Sequence, residues 1–76
     1  MDWRECITID PHVCHGKPCI KGTRVMVSVI LDNLASNESH ESIMQGYHVT
    51  EDDIQASLRY AADLARDRVV LLPAGV

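Results

Sequence analysis

The chain has 76 residues, 46% of them hydrophobic, and a formal net charge of −4 at pH 7. This length allows one domain over residues 1–76, and this hydrophobic fraction excludes a disordered chain. A domain of this size has a thin core and commonly needs a covalent cross-link, a metal or a second copy of itself for stability. We therefore expect a homodimer.

No targeting segment or membrane span is visible in the sequence. The amino-terminal residues lack the apolar run of a signal peptide, and no stretch approaches the ~20 apolar residues of a transmembrane helix. Cys6, Cys14 and Cys19 are an odd set that cannot all pair within one chain, which favours a reducing compartment. We expect a cytoplasmic protein without membrane contact.

Charge is distributed unevenly along the chain. Residues 31–58 hold six acids and neither Lys nor Arg, whereas residues 1–30 and 59–76 each carry a net charge of +1. An acidic segment is a poor surface for nucleic acid. Any contact with DNA would therefore use the two ends of the chain.

The predicted elements begin with a β-hairpin arm over residues 1–26. Residues 6–10 alternate in polarity and predict a short strand. Residues 19–25 predict a second strand with a kink at Gly22, after a long irregular loop.

A three-helix core is predicted over residues 27–67. Its first helix has apolar residues at helical spacing from Val27 to Ala35. Ser39 is a natural N-cap for a second helix, which Gly46 would end in a left-handed conformation.

The third predicted helix covers residues 50–67. Thr50 and Asp53 fit a capping box, and one apolar stripe is expected on this helix (Ile54, Leu58, Ala61 and Ala65). Residues 68–73 predict a short carboxy-terminal strand, which would pair with residues 6–10 or with a second copy.

Two helices joined by a short turn, with a helix before them, have the layout of a helix-turn-helix. The amino end of the last helix in such a unit approaches bases and phosphates. Here that end carries Glu51, Asp52 and Asp53. Phosphate would repel these carboxylates, and helix capping is their simplest interpretation.

Cys14, His15 and Cys19 are candidate metal ligands, because Cys and His at short spacing can bind zinc. Their spacing does not match the paired C-x-x-C motifs, so cysteines filling apolar space and an exposed histidine are the simpler interpretation. We expect no cofactor. We also expect no enzyme, because so short a chain has little room for a catalytic pocket.

Lys17, Lys21 and Arg24 lie in a basic, glycine-containing segment that lacks the spacing of a P-loop. This segment is either a solvated turn or an arm that contacts phosphates or an acidic partner.

Residues 10–24 read DPHVCHGKPCIKGTR. This string resembles the opening motif of a small bacterial and archaeal family, domain of unknown function 433, whose members are called antitoxin-like. The resemblance continues through the helices to residue 62. One departure is that His48 follows Tyr47, where the family pattern has proline.

The resemblance implies a mainly α fold: an amino-terminal β-hairpin before a three-helix, homeodomain-like or winged-helix-like helix-turn-helix core. It also implies a dimer that acts as the antitoxin of a type II toxin–antitoxin pair, with a PIN-like nuclease as the toxin.

Three functions remain open at this point. The first is an antitoxin and dimeric autorepressor that binds operator DNA through a basic and polar set (Lys17, Lys21, Arg24, Gln55 and Arg59). The second is a protein-interaction module without DNA binding, whose acids cover the basic face of a nuclease (Glu51, Asp52 and Asp53). The third is a small metal-binding or redox protein that uses Cys14, His15 and Cys19.

Overall fold

The arm is a two-stranded antiparallel hairpin. In the computed structural model, which describes residues 2–67, β1 (Ile7–Thr8) pairs with β2 (Cys19–Ile20), and Ile7 lies opposite Ile20. The predicted hairpin is confirmed, although its strands are shorter than predicted. The chain turns back at Gly22, where φ is 76°, so that Cys19 also bridges with Met26.

Short 3-10 turns flank the strands of the arm. One turn, Trp3–Glu5, precedes β1, and a second, Cys14–Gly16, lies in the connecting loop. Cys14 and His15 both have positive φ, 51° and 55°, which reverses the chain direction before β2.

Three α-helices follow the arm, as predicted. They are α1 (Val27–Ala35), α2 (His40–Tyr47) and α3 (Glu51–Asp67). The fold is therefore mainly helical with an amino-terminal hairpin. The predicted strand over residues 68–73 lies outside the described residues. Within residues 2–67, no helix combines the length and apolar character needed to cross a bilayer.

Side-chain caps begin α2 and α3 at the predicted residues. The Ser39 hydroxyl accepts a hydrogen bond from the backbone N–H of Ser42 at 3.0 Å. Thr50 and Asp53 form a reciprocal capping box. The Thr50 N–H donates to the Asp53 carboxylate at 2.9 Å, and the Asp53 N–H donates to the Thr50 hydroxyl at 3.1 Å.

The prediction that Gly46 ends α2 is wrong. Gly46 lies inside the helix, and His48 is the left-handed residue that ends it, with φ at 56°. The helix ends two residues later than predicted because the next residue, Val49, is buried in the core. Proline cannot adopt this φ, so the turn of this chain differs from one that has proline here.

The core lies where the hairpin meets the three helices. It is built from aliphatic side chains of both strands, all three helices and the turn before α3 (Ile7, Ile20, Val27, Ile30, Ile43, Val49, Ile54 and Ala56). Trp3, Leu31 and Tyr60 pack against its edge. The helix α3 packs against the amino-terminal turn, β1, α1 and α2.

The predicted apolar stripe of α3 is wrong at Leu58 and Ala65, which are exposed. The buried face is rotated toward the amino-terminal segment, and Ser57 occupies a buried position on it. The cause is Trp3, whose ring meets Tyr60 edge-on at 4.9 Å and whose Nε1–H donates to Asp63 at 2.6 Å.

Candidate functional site

The amino ends of α2 and α3 together form an acidic surface, which we define as Glu38, Glu41, Glu51 and Asp52. All four side chains are exposed. A hydrogen bond of 2.8 Å between His40 Nδ1 and Glu51 Oε1 joins the two helix ends. This contact sets Glu51 against the start of α2, and the other three acids lie within two residues of His40 or Glu51 in the sequence.

The three predicted acids of α3 have different surroundings. Asp53 is half-buried and is used by the capping box. Its carboxylate also faces the thiol of Cys6. The pKa of that thiol is raised, mainly by burial and then by the negative charges of Asp53 and Asp52. Capping is thus confirmed as the role of Asp53.

Glu51 is held in place by two neighbours. Its carboxylate bonds with His40 and accepts a hydrogen bond from the side-chain amide of Gln55 at 3.3 Å. These two hydrogen bonds, with His40 the larger cause, hold the pKa of Glu51 below its ordinary value. Asp52 is also exposed, but as the next residue of the helix it lies about 100° around the axis from Glu51. Glu51 and Asp52 are therefore the acids of α3 that are presented to solvent.

The structure does not bring the predicted basic residues of the arm into one site. Lys17 lies at the edge of an apolar cleft between the arm, α1 and α3, together with Tyr60 and Leu64. Arg24 lines a different cleft of the arm. Lys21 is exposed at the turn that follows β2. The three cations form a dispersed set.

Gln55 and Arg59 lie one turn apart on the outer face of α3. The Gln55 side-chain amide donates a hydrogen bond to Glu51. Arg59 is exposed and forms no salt bridge within residues 2–67. Arg59 is the first cation of α3, two turns beyond the acidic surface.

Cys14 and Cys19 lie together inside the arm, while His15 is exposed. Within residues 2–67, no group of three or more His, Cys, Asp or Glu side chains is arranged to hold a metal ion. Each thiol instead donates to a backbone carbonyl, Cys14 to Arg24 at 3.5 Å and Cys19 to Thr23 at 3.7 Å. Of the three candidate ligands, the two cysteines therefore lie near each other, and His15 lies apart at the surface.

His40 is part of the site and was not predicted from the sequence. It lies 11 positions before Glu51, on a different helix. A histidine one residue after an N-cap has no local signal for such a contact, because the contact depends on how α2 packs against α3.

These features define a class of small domain: a β-hairpin arm on three helices, with acids at the amino ends of the last two. The chain belongs to the family described as protein of unknown function (DUF433), whose model matches residues 7–61.

A solved structure supports this fold assignment. The crystal structure of a DUF433 member protein from Anabaena variabilis ATCC 29413 superposes with a TM-score of 0.72 at 24% sequence identity. The match covers 80% of this chain and 61% of that chain, so this chain spans less than two thirds of its structural relative. At this identity the likeness shows the fold alone. No curated protein matches the chain.

Proposed function

We propose that this chain is an antitoxin-type binding protein that neutralises a PIN-like nuclease by covering a basic face of that partner with the acidic surface. One observation carries the proposal. Every Asp, Glu, Lys or Arg on α2 and the first two turns of α3 is an acid. Phosphate would be repelled by this region, whereas a cationic protein face would be attracted.

The nuclease partner supplies the complementary chemistry. A protein that cleaves nucleic acid needs a cationic face to bind phosphates, and carboxylates that occupy that face exclude the substrate. Glu51 is already oriented by His40 and Gln55. Less conformational entropy is therefore lost when this carboxylate is fixed in a complex.

A charge-reversal pair tests the proposed surface. Asp52→Lys reverses a charge on the acidic surface. Asp67→Lys makes the same change about 22 Å away, at the other end of α3. The assay measures the association rate with a purified PIN-like nuclease at two salt concentrations, after circular dichroism has shown that both variants are folded.

We expect Asp52→Lys to slow association about tenfold at low salt and Asp67→Lys to change it less than about twofold. The difference between the variants shrinks at high salt, because the interaction is electrostatic. Equal effects of the two variants would show that net charge alone matters, and no effect of Asp52→Lys would remove the acidic surface from the interface.

The second candidate function is a homodimeric, DNA-binding autorepressor. What favours it is the order of α2, a short turn and α3, which is the order of elements in a helix-turn-helix. In this function Arg59 reaches a groove of operator DNA and the dispersed cations of the arm contact phosphates. If the chain neutralises a nuclease but does not bind DNA, it is a protein-interaction module only.

Fluorescence anisotropy against the DNA upstream of the gene, with scrambled DNA as the competitor, tests the second function. We expect preferential binding that weakens as salt rises, and we expect Arg59→Ala to reduce the preference for the upstream DNA over scrambled DNA. Arg66→Ala is the matched control, because Arg66 already pairs with Asp63. If the protein does not bind DNA at low salt, the repressor function is wrong.

A further inference from the structure

The two thiols of the arm have a geometry that the proposed function does not use. Cys14 Sγ and Cys19 Sγ donate to the carbonyls of consecutive residues, Arg24 and Thr23. Because the two carbonyls belong to neighbouring peptide groups, the two sulfurs lie close to each other in the arm. Two neighbouring sulfurs of this kind are candidates for a disulfide bond.

The two thiols differ in access to solvent. Cys19 is fully buried, at 0% exposure, whereas Cys14 is half-buried. Burial, followed by the hydrogen bond with Cys14, raises the pKa of Cys19. Cys14 is therefore the thiol that a small reagent reaches first, and the buried Cys19 reacts second.

Cys6 is separate from this pair. Its thiol faces the Asp53 carboxylate at the amino end of α3, and burial, followed by the charge of that carboxylate, raises the pKa of this thiol. Cys6 thus serves as an internal reference thiol in the same chain.

We propose that Cys14 and Cys19 form a reversible redox-modification site, in which Cys14 reacts with a low-molecular-weight disulfide and Cys19 resolves the adduct into an intrachain disulfide. Transient, regulatory disulfides of this kind are the ones that occur in reducing compartments.

The chemistry balances in two exchange steps. The Cys14 thiol loses its proton to water and attacks one sulfur of oxidised glutathione. A mixed disulfide forms and one glutathione leaves as a thiolate, which takes up a proton. Cys19 then loses its proton and attacks the sulfur of Cys14, expelling the second glutathione. The dithiol loses two electrons and two protons, and oxidised glutathione becomes two molecules of glutathione.

The disulfide changes the arm locally. Both S–H donors are lost, so the carbonyls of Thr23 and Arg24 lose these hydrogen bonds. The loop that carries Lys17 becomes closed between Cys14 and Cys19. Because the bond closes a short loop, its entropic contribution to stability is small.

Thiol counting on the full chain tests the site. The folded protein is incubated with oxidised glutathione, unfolded in iodoacetamide and weighed by intact mass spectrometry. The reduced chain takes up three alkyl groups, one for each cysteine. We expect the oxidised chain to lose two of these sites, to remain a single chain on a non-reducing gel, and to regain all three after dithiothreitol.

Two variants identify which cysteines form the disulfide. Cys6→Ser retains only the pair, so we expect it to take up no alkyl group after oxidation. Cys14→Ser retains Cys6 and Cys19, and we expect no intrachain disulfide in it. A stable glutathione adduct on Cys14, three alkyl groups after oxidation, or a bond that involves Cys6 would each overturn the proposal.

Discussion

The difference between Asp53 and Asp52 gives the sharpest test of how α3 begins. The two residues are adjacent, and both are acids in the first turn of the helix. The Asp53 carboxylate accepts the backbone N–H of Thr50 at 2.9 Å, whereas Asp52 is exposed to solvent. Replacing each by alanine therefore removes the same charge but a different set of contacts.

The expected loss for Asp53→Ala has two parts. Leaving the Thr50 N–H without its acceptor costs about 0.5–2 kcal/mol, the range measured for N-terminal caps. Removing an anion from the positive end of the helix dipole costs about 0.3–1 kcal/mol. Asp52→Ala loses only the second part. The difference between the variants is therefore about 1 kcal/mol.

Thermal unfolding followed by circular dichroism measures this difference. For a domain of 60–100 residues, 1 kcal/mol lowers Tm by about 4–8 °C. We expect Asp53→Ala to melt at least about 4 °C below Asp52→Ala. Equal melting temperatures would refute the reasoning, because they would mean that the charge, and not the capping box, carries the stability.

Two further predictions concern stability. The folded-state pKa of Glu51 is lowered mainly by His40, so the stability from this contact is present above the unfolded pKa, about 4.3. It is lost as pH falls through the folded pKa. The Tm difference between wild type and Glu51→Gln should therefore vanish in acid, and a difference that grows in acid would contradict the sign. Ile54→Ala, at a site with 0% exposure, should cost about 2–5 kcal/mol in urea unfolding. The control Ile9→Ala, 54% exposed, should be nearly neutral, and similar losses would contradict this location of the core.

Local hydrogen bonding explains why much of the fold was predictable from the sequence. Ser39 and Thr50 each bond to a backbone N–H three residues ahead, so their identity and position are enough to locate two helix starts. The apolar spacing from Val27 similarly predicts α1. The hairpin followed from alternating residues and a glycine that turns the chain.

The end of α2 was less predictable. Gly46 has the right chemistry for a left-handed position, yet His48 occupies that position. A local propensity of about 1 kcal/mol was outweighed by burial of Val49, because burying such a side chain contributes about 1.5–3 kcal/mol.

The sequence by itself determined the order of the elements, the caps of α2 and α3, and the acidic character of residues 31–58, because each depends on residues a few positions apart. The tertiary structure decided which side of α3 is buried, with Ser57 inside and Leu58 outside. It also paired His40 with Glu51 and placed the thiols of Cys14 and Cys19 on neighbouring backbone carbonyls. These features depend on how the arm and helices pack, and spacing along one element carries no information about the partner that lies against it.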